Sequence, residues 1–316
     1  MENRVYGLIG ISSIMANWNA DFTGRPKSTS DGEVYGSDKA LKYSIKKYLK
    51  ERGEKILYYK TFKIEEKGES EDKDKIQPKA LYERYNEIFS PNTIDKKTSS
   101  KEVLRNLFLA VDVMNFGATF TVENQNISIT GAVQIGQGFN KYYGSNTEVQ
   151  DILSPFRNSK KDEADASSLG KKIMSNEAHY IYPFSVNPNN YDEYIGIVEG
   201  FNGYTKEAYN LFKEGALRGA TVLNTNSKSG CENELALFIE CNEGSDIYLP
   251  NLDRYVEFIK DDEKNIINLC KISEIINCKF INGIEKIELY YNPFTTEVKH
   301  EFEKVEVMNI FTGEQI

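Results

Sequence analysis

Four lysines recur every three or four residues early in the chain, where they could hold a polyanion. At about 100° per residue, Lys39, Lys42 and Lys46 fall on one side of a helix, with Lys50 close by. The other side carries residues for a core: Leu41, Ile45, Tyr48 and Leu49. Ammonium groups bind phosphate oxygens whichever base follows. The pattern predicts a phosphate-binding face, and a solvated face of an ordinary amphipathic helix is the alternative.

A polar, glycine-rich loop precedes this helix and follows a β-type run that ends at about Ile14. Asp38 is predicted as the N-cap, because its carboxylate can accept the free amide protons of the first turn. Trp18, between Asn17 and Asn19, is the least core-like aromatic residue of the chain. A base stacked on such a ring contributes roughly 1–3 kcal/mol. Loop and helix together predict a cradle for a polyanion.

Two further segments carry residues suited to phosphate or to a close backbone approach. In TNSKSG, the hydroxyls of Thr225 and Ser227 lie beside Lys228 and can donate to phosphate, although a plain surface turn is the alternative. GQGFNK lacks the G-K-[ST] ending of a phosphate loop. Its Gly136 and Gly138 are expected to let the backbone pass close to another chain or a ligand.

Three carboxylates, Asp21, Asp31 and Asp38, could hold a hard cation near a phosphate. Asp38 is already assigned as a cap, and Asp31 precedes Gly32 as a turn residue. Asp21 alone is too little for a two-metal site. The two histidines, at 179 and 300, have no evident partner for acid–base work. We therefore predict neither a catalytic residue nor a metal site.

The bulk composition predicts a folded, cytoplasmic protein with a local basic region. Residues 1–60 hold 11 Lys/Arg against 7 Asp/Glu, a net charge of +4, within a chain of net charge −9. Nucleic-acid binding needs a basic patch, not a basic total. No run approaches the roughly 18 apolar residues of a membrane helix, and no signal-peptide pattern is evident. The four cysteines lack C-x-x-C spacing, so no zinc or other cofactor is predicted.

Hydrophobic periodicity predicts alternating strands and helices. Predicted strands lie at 5–14, 56–64, 178–186, 193–199, 235–240, 284–291 and 298–309. Predicted helices lie at 38–51, 79–89, 100–108, 205–217 and 263–276, and a hairpin joins 116–123 to 126–135. This order predicts an α+β fold of the ferredoxin-like or RNA-recognition (split βαβ) type with large insertions. Such folds often bind single-stranded RNA on an open sheet face.

Four segments, in order, resemble one protein family. NADFTGRP followed by GSDKALKYSIKKYL is similar to a small-polar-Asp loop before T/S-D-x-x-L-K-x-x-I-R/K. DVMNFGATF and TGAVQIGQG resemble D-V-R-x-F-G-A and G-P-V-Q-I, and TNSKSG resembles T-R-S-K. The match runs to about residue 240. It identifies a resemblance to the RAMP-superfamily backbone subunit of the type I-B CRISPR surveillance complex, Cascade (the "Cas seven" group, Csh-two type).

This resemblance implies a non-enzymatic protein that polymerises along a CRISPR RNA in a helical filament. The implied partners are the CRISPR RNA, other copies of the chain, RAMP-type cap subunits, the large subunit and a target DNA strand paired to the guide. The implied division is a palm with fingers and thumb insertions. Its ranges are 1–64 (palm), 65–110 (fingers), 111–138 (palm hairpin), 139–178 (thumb) and 179–316 (palm and C-terminal elements).

By position, Lys42 matches the family's helix lysine, Lys46 a basic position and Lys228 the lysine of T-R-S-K. The chain departs from the family pattern at three positions, where Arg, Pro and Arg are expected: Asn115, Ala132 and Asn226. Two other functions remain open. Type III relatives cleave target RNA with an Asp in the early loop, where Asp21 lies. A stand-alone RNA-binding module with no role in assembly is the second.

Overall fold

The computed structural model describes residues 1–65, 75–153 and 169–316. Its strands are β1 (Val5–Ala16), β2 (Tyr35–Gly36), β3 (Phe62–Glu65), β4 (Lys75–Pro78), β5 (Gly117–Val122), β6 (Gln125–Thr130), β7 (Val133–Ile135), β8 (Gly138–Asn140), β9 (Thr147–Leu153), β10 (Leu169–Val186), β11 (Cys231–Cys241), β12 (Glu257–Ile259), β13 (Asn265–Asn268), β14 (Ile284–Tyr291), β15 (Thr296–Lys299) and β16 (Glu306–Asn309). Its α-helices are α1 (Asp38–Glu51), α2 (Leu81–Phe89), α3 (Ser100–Leu107), α4 (Val111–Phe116), α5 (Lys206–Arg218) and α6 (Cys270–Ile275). Within these ranges, no helix combines the length and apolar character needed to span a bilayer.

The central sheet is built around β1, whose apolar sequence suits a strand with neighbours on both sides. β1 pairs antiparallel with β10 and with β11, and Ile9 lies opposite Tyr182 on one side and Ala236 on the other. The sheet order is β16-β14-β11-β1-β10-β8-β2, and β7 and β9 also pair with β10. Because β10 is long, one strand joins the centre of the sheet to the β9–β10 hairpin.

Both faces of this sheet are covered. Ile9 lies in one core with Ile45 of α1 and Phe212 of α5. Leu8, which points to the opposite face, lies in a second core with Ile272 of α6. The C-terminal elements therefore occupy the face on which RNA binding was expected from the fold type. The candidate surfaces that remain for a nucleic acid are strand ends, loops and helix α1.

Most predicted elements are confirmed, including α1, α2, α3, the β5–β6 hairpin and α5. The predicted strand at 193–199 is wrong, because this segment forms a 3₁₀ turn followed by Gly196 in a left-handed conformation (φ +82°). The predicted helix at 263–276 is wrong in its first half. Asn265–Asn268 forms β13, which pairs in parallel with β15. Long-range strand pairing outweighs local helical periodicity there.

The remaining differences concern segments with fewer local signals. The predicted strand at 56–64 is mostly irregular and contains only the start of β3, whereas 298–309 splits between β15 and β16. The segment 139–178, predicted as the thumb insertion, contains β9 and the start of β10. Residues 66–74 and 154–168, parts of the predicted fingers and thumb, lie outside the described residues. The division into palm, fingers and thumb stays a prediction.

Candidate nucleic-acid interface

Helix α1 is held at its start by a residue of the preceding loop. The N-cap is Ser37, whose hydroxyl accepts from the Ala40 amide at 3.3 Å. The prediction of Asp38 as the cap is therefore wrong by one position, since Ser37 has the extended backbone that a cap requires. The side-chain oxygen of Asn19 accepts from the Ser37 amide at 2.8 Å. Asn19 thus fixes where the lysine helix begins.

Asp38 instead joins α1 to the glycine segment. Its carboxylate accepts from Lys42 Nζ at 3.0 Å and from Gln137 Nε2 at 3.3 Å. Burial raises the pKa of Asp38, but the hydrogen bonds and the charge of Lys42 outweigh it, so the pKa lies below its ordinary value. Gln137 stands between Gly136 and Gly138, which places this segment beside the first turn of α1.

Lys46 lies deeper, above a buried carboxylate. Its Nζ donates to the carbonyl of Tyr58 at 3.0 Å. Asp112 accepts from the amides of Leu57 and Tyr58, both at 2.8 Å, and so fixes the chain on which Lys46 rests. Burial lowers the pKa of Lys46, and the charge of Asp112 opposes this shift. For Asp112 the same burial has the opposite sign and raises the pKa, because it disfavours the charged carboxylate.

An open groove of about 540 Å³ runs along this side of α1 and is called the lysine groove below. Its lining residues include Lys39, Lys42, Lys46, Tyr43, Tyr58 and Phe116. Lys39 is exposed and makes no ion pair with any described residue. The ring of Tyr43 is stacked on that of Tyr59, with centroids 5.6 Å apart. The groove therefore offers cations and aromatic rings together.

The turn at 225–230 meets the end of β1. The Asn17 amide donates to the Ser227 carbonyl at 2.8 Å, and Lys228 Nζ donates to the Asn17 carbonyl. Burial lowers the pKa of Lys228. The carbonyl of Thr225 accepts from the Lys228 amide at 2.9 Å. Thr225 and Ser227 are exposed. Lys228 uses one of its three N–H bonds to connect this turn to Asn17.

Trp18 is a core residue, and its prediction as a stacking platform is wrong. Only 1% of it is exposed, and its Nε1 donates to the Tyr182 hydroxyl at 2.6 Å. The polar neighbours of Trp18 misled the prediction, because Asn17 is itself buried and hydrogen-bonded to backbone. Gly138 packs on the Tyr182 ring and Gly136 on Pro183, where side chains would collide. The close approach that these glycines permit is to their own chain.

Asp21 builds a turn. One carboxylate oxygen accepts from the Thr23 amide at 2.8 Å, the Thr23 hydroxyl at 2.7 Å and the Arg25 amide at 3.0 Å. These hydrogen bonds, led by that of the Thr23 hydroxyl, lower the pKa of Asp21. Among residues 1–65, 75–153 and 169–316, no three His, Cys, Asp or Glu side chains are grouped to hold a metal ion.

His179 has charged partners that the sequence did not reveal. Its Nδ1 lies 2.8 Å from Glu234 Oε2, and its Nε2 lies 3.0 Å from Glu177 Oε1. Lys260 Nζ lies 2.7 Å from the same Glu177 oxygen. These four side chains are called the His179 cluster below. Because His179 is only 1% exposed, the cluster packs strands together and offers no open acid–base site.

Several interface residues were missed at the level of sequence. Asp112 and Gln137 stand in two of the family-like segments, but their hydrogen-bond partners, at 57–58 and in α1, were not visible from the sequence. Tyr43 and Tyr58 gave no signal among 20 tyrosines. Asn115 is buried, and its side chain donates to the Ala208 carbonyl at 3.0 Å. It serves packing here.

The structure brings the predicted segments together at one end of the sheet. Asn17 and Asn19 connect the 225–230 turn to the start of α1, and Gln137 joins α1 from the other side. Lys39, Lys42 and Lys46 continue from this junction along the lysine groove. Trp18, Gly136 and Gly138 support the junction from inside.

Solved structures share this architecture. A chain from a structure described as "CRISPR RNA-guided surveillance complex, pre-nicking" has a TM-score of 0.52 at 14% identity, covering 95% of this chain and 96% of that chain. A chain from a "CRISPR RNA-guided surveillance complex" has a TM-score of 0.50 at 14% identity, with coverages of 93% and 94%. No curated protein matches in sequence. Residues 3–275 match the family described as CRISPR-associated protein Cas7. The chain belongs to the CRISPR-associated protein Cas7 family.

Proposed function

We propose that the protein is a crRNA-binding backbone subunit of a CRISPR RNA-guided surveillance complex. One observation carries the proposal: three distant segments and the lysine helix meet at one end of the sheet. The lysine groove opens from that junction. The solved chains of similar fold come from RNA-guided complexes.

The chemistry of the groove suits a guide of arbitrary sequence. Lys39, Lys42 and Lys46 present ammonium groups, which attract phosphate without reading bases. A backbone subunit needs this property, because contacts to base edges would restrict the guides that it accepts. With the sheet faces covered, loops and the first turn of α1 supply the remaining contacts.

The finer proposal follows the family resemblance. The chain would be a non-catalytic subunit of type I-B Cascade that polymerises along the guide with cap and large subunits, while the guide pairs with target DNA. The strand order β11-β1-β10-β8 supports an RNA-recognition-type palm. The β9–β10 hairpin, which projects from that sheet, is proposed as the base of the thumb.

Removing the groove lysines tests the function. In Lys39→Ala/Lys42→Ala/Lys46→Ala, we expect the slope of log affinity for guide RNA against log salt to fall by about 2, since each single-strand contact contributes roughly 0.7. The matched control is Lys264→Ala/Lys279→Ala/Lys304→Ala, which removes equal charge from exposed sites on the C-terminal elements. Equal slopes and affinities in both variants would contradict the proposal. Lys228→Ala is measured separately, because it also breaks the bond to Asn17.

Assembly separates this function from a stand-alone RNA-binding module. With guide-length RNA, a backbone subunit gives particles that contain many protein copies per strand. A module gives one. Mass measurement of the purified complex, at protein excess, distinguishes the two outcomes.

A further inference from the structure

Phe22 is fully exposed at the tip of the loop that joins β1 to α1. The large side chains of its loop neighbours Trp18 and Tyr35 are buried or half-buried. Arg25, three residues on, is also exposed. A phenyl ring and a guanidinium group thus stand in water together at the end of the sheet where the candidate interface lies.

The turn that presents Phe22 is fixed by hydrogen bonds. Besides the three bonds to the Asp21 carboxylate, the Asp21 amide donates to the Arg25 carbonyl at 2.8 Å. The Gly24 amide donates to the Asp21 carbonyl at 3.1 Å, and Gly24 has a φ of +84°, which favours glycine. The ring is therefore displayed by an ordered backbone.

The turn is also anchored within the interface. The side-chain amide of Asn17 donates to the Gly24 carbonyl at 3.0 Å and to the Ile173 carbonyl of β10 at 3.1 Å. The same Asn17 accepts from Lys228 through its own carbonyl. The turn that displays Phe22 is thereby tied to the 225–230 turn and to the β9–β10 hairpin, beside the candidate interface.

We propose that Phe22 stacks on a nucleobase, that Arg25 accompanies it as a phosphate contact, and that Asp21 is the positioning residue that builds their turn. The inference rests on the proposed function and deepens it. Every base has a flat apolar face, so stacking tolerates any guide sequence. Because Asp21 has already ordered the loop, binding does not bear that entropic cost. Asp21 then has a role without a metal ion.

The test uses the full chain, guide-length RNA carrying 2-aminopurine at successive positions, and the same RNA paired to a complementary strand. Stacking quenches 2-aminopurine fluorescence. We expect Phe22→Ala to lower affinity about tenfold, equivalent to the lower part of the stacking range, and to remove quenching. Phe22→Trp should restore both. Phe294→Ala, which removes an exposed ring from the C-terminal elements, is the control and should match the wild type.

The two RNA forms identify the source of the base. If Phe22→Ala loses affinity and quenching with the single-stranded guide, Phe22 stacks on a guide base. If it loses them only with the paired form, Phe22 stacks on a base of the complementary strand. Wild-type affinity and quenching of Phe22→Ala in both forms would overturn the inference. The salt slope must stay unchanged in Phe22→Ala. A wild-type protein that fails to bind guide RNA would instead overturn the proposed function.

Asp21 is tested by the substitutions that separate turn building from metal binding. Asp21→Asn keeps an accepting oxygen and should retain quenching, whereas Asp21→Ala should lose it to the extent that Phe22→Ala does. The double variant Asp21→Ala/Phe22→Ala should then bind no more weakly than Asp21→Ala alone. Additive losses would overturn the positioning role. So would metal-dependent cleavage of complementary RNA that Asp21→Asn abolishes.

Discussion

The lysine groove and the His179 cluster both gather charged side chains, but they balance their charges differently. In the cluster, His179 and Lys260 face the carboxylates of Glu177 and Glu234, and every partner lies within 3.0 Å. In the groove, three lysines line the surface beside Asp38 and the deeper Asp112. Lys39 has no carboxylate partner in the described structure.

The difference teaches which charges are available to a ligand. A buried charge must be paired, because desolvation costs several kcal/mol. The His179 cluster satisfies this requirement and joins β10 and β11 to the C-terminal elements, where Phe258 stacks on the imidazole at 4.0 Å between centroids. The groove leaves ammonium N–H bonds facing water. Charges matched within the chain stabilise it, whereas an ammonium group without a carboxylate partner, such as that of Lys39, is available to an anionic ligand.

Removing His179 should have the largest effect on stability. His179→Ala leaves Glu234 buried without its partner, so we expect the free energy of unfolding to fall by about 3–5 kcal/mol. His300→Ala, at the chain's only other histidine, should cost less than about 1 kcal/mol. Urea unfolding of both variants measures the effect. Equal losses would mean that the His179 cluster contributes no special stability.

The pH dependence sharpens the same contrast. Burial alone would lower the pKa of His179, but Glu234 and Glu177 outweigh it and raise the pKa above its usual 6.5. The contribution of the charged His179 to stability is therefore complete below pH 6.5 and is lost as pH rises through the raised pKa. Burial raises the pKa of Glu177, but the hydrogen bonds and charges of Lys260 and His179 outweigh it and lower the pKa. The contribution of Glu177 to stability is therefore lost as pH falls.

Two measurements check this pH dependence. Histidine NMR titration should give one raised value, which disappears in His179→Gln. The stability difference between the wild type and His179→Gln should shrink as pH rises above 6.5. A difference that grew with pH would contradict the charged state assigned to the imidazole.

The smallest expected effect lies in the groove. Asp38→Asn removes a partly exposed ion pair with Lys42, and such pairs contribute at most about 1 kcal/mol to stability. The same change removes a negative charge from the lysine groove, the proposed RNA site. We expect guide affinity at low salt to rise by roughly two- to fivefold, on the scale of one weak charge interaction. Glu51→Gln, also in an i,i+4 pair with a lysine, is the matched control. Weaker binding in Asp38→Asn would mean that the carboxylate positions Lys42.

The sequence predicted the parts of the fold that have strong local patterns. Helix α1 emerged with correct bounds, because Leu41 and Ile45 repeat at helical spacing and Gly53 follows its end. β13 could not be predicted in this way, since its strand state depends on pairing with β15, about 30 residues away. Nor does periodicity show that Leu8 and its neighbours are covered by the C-terminal elements.

At the candidate site, residue types were easier to predict than their surroundings. The lysine row was visible, but its partners Asp112 and Gln137 come from helix α4 and from the loop between β7 and β8, which only the folded chain brings near. Trp18 was wrongly predicted to be exposed because its neighbours in the sequence are polar. The side chain of Asn17, however, is hydrogen-bonded to backbone carbonyls and does not face water. Exposure depends on where neighbouring strands end, which short-range patterns do not encode.

The hydrogen bond from Lys228 to Asn17 spans 211 positions of the chain. During synthesis, the lysine helix leaves the ribosome long before the turn that completes its junction. A nascent chain that ends ahead of residue 228 cannot form this bond. Under the proposed function, a chain truncated ahead of residue 228 should therefore bind guide RNA more weakly than the full chain.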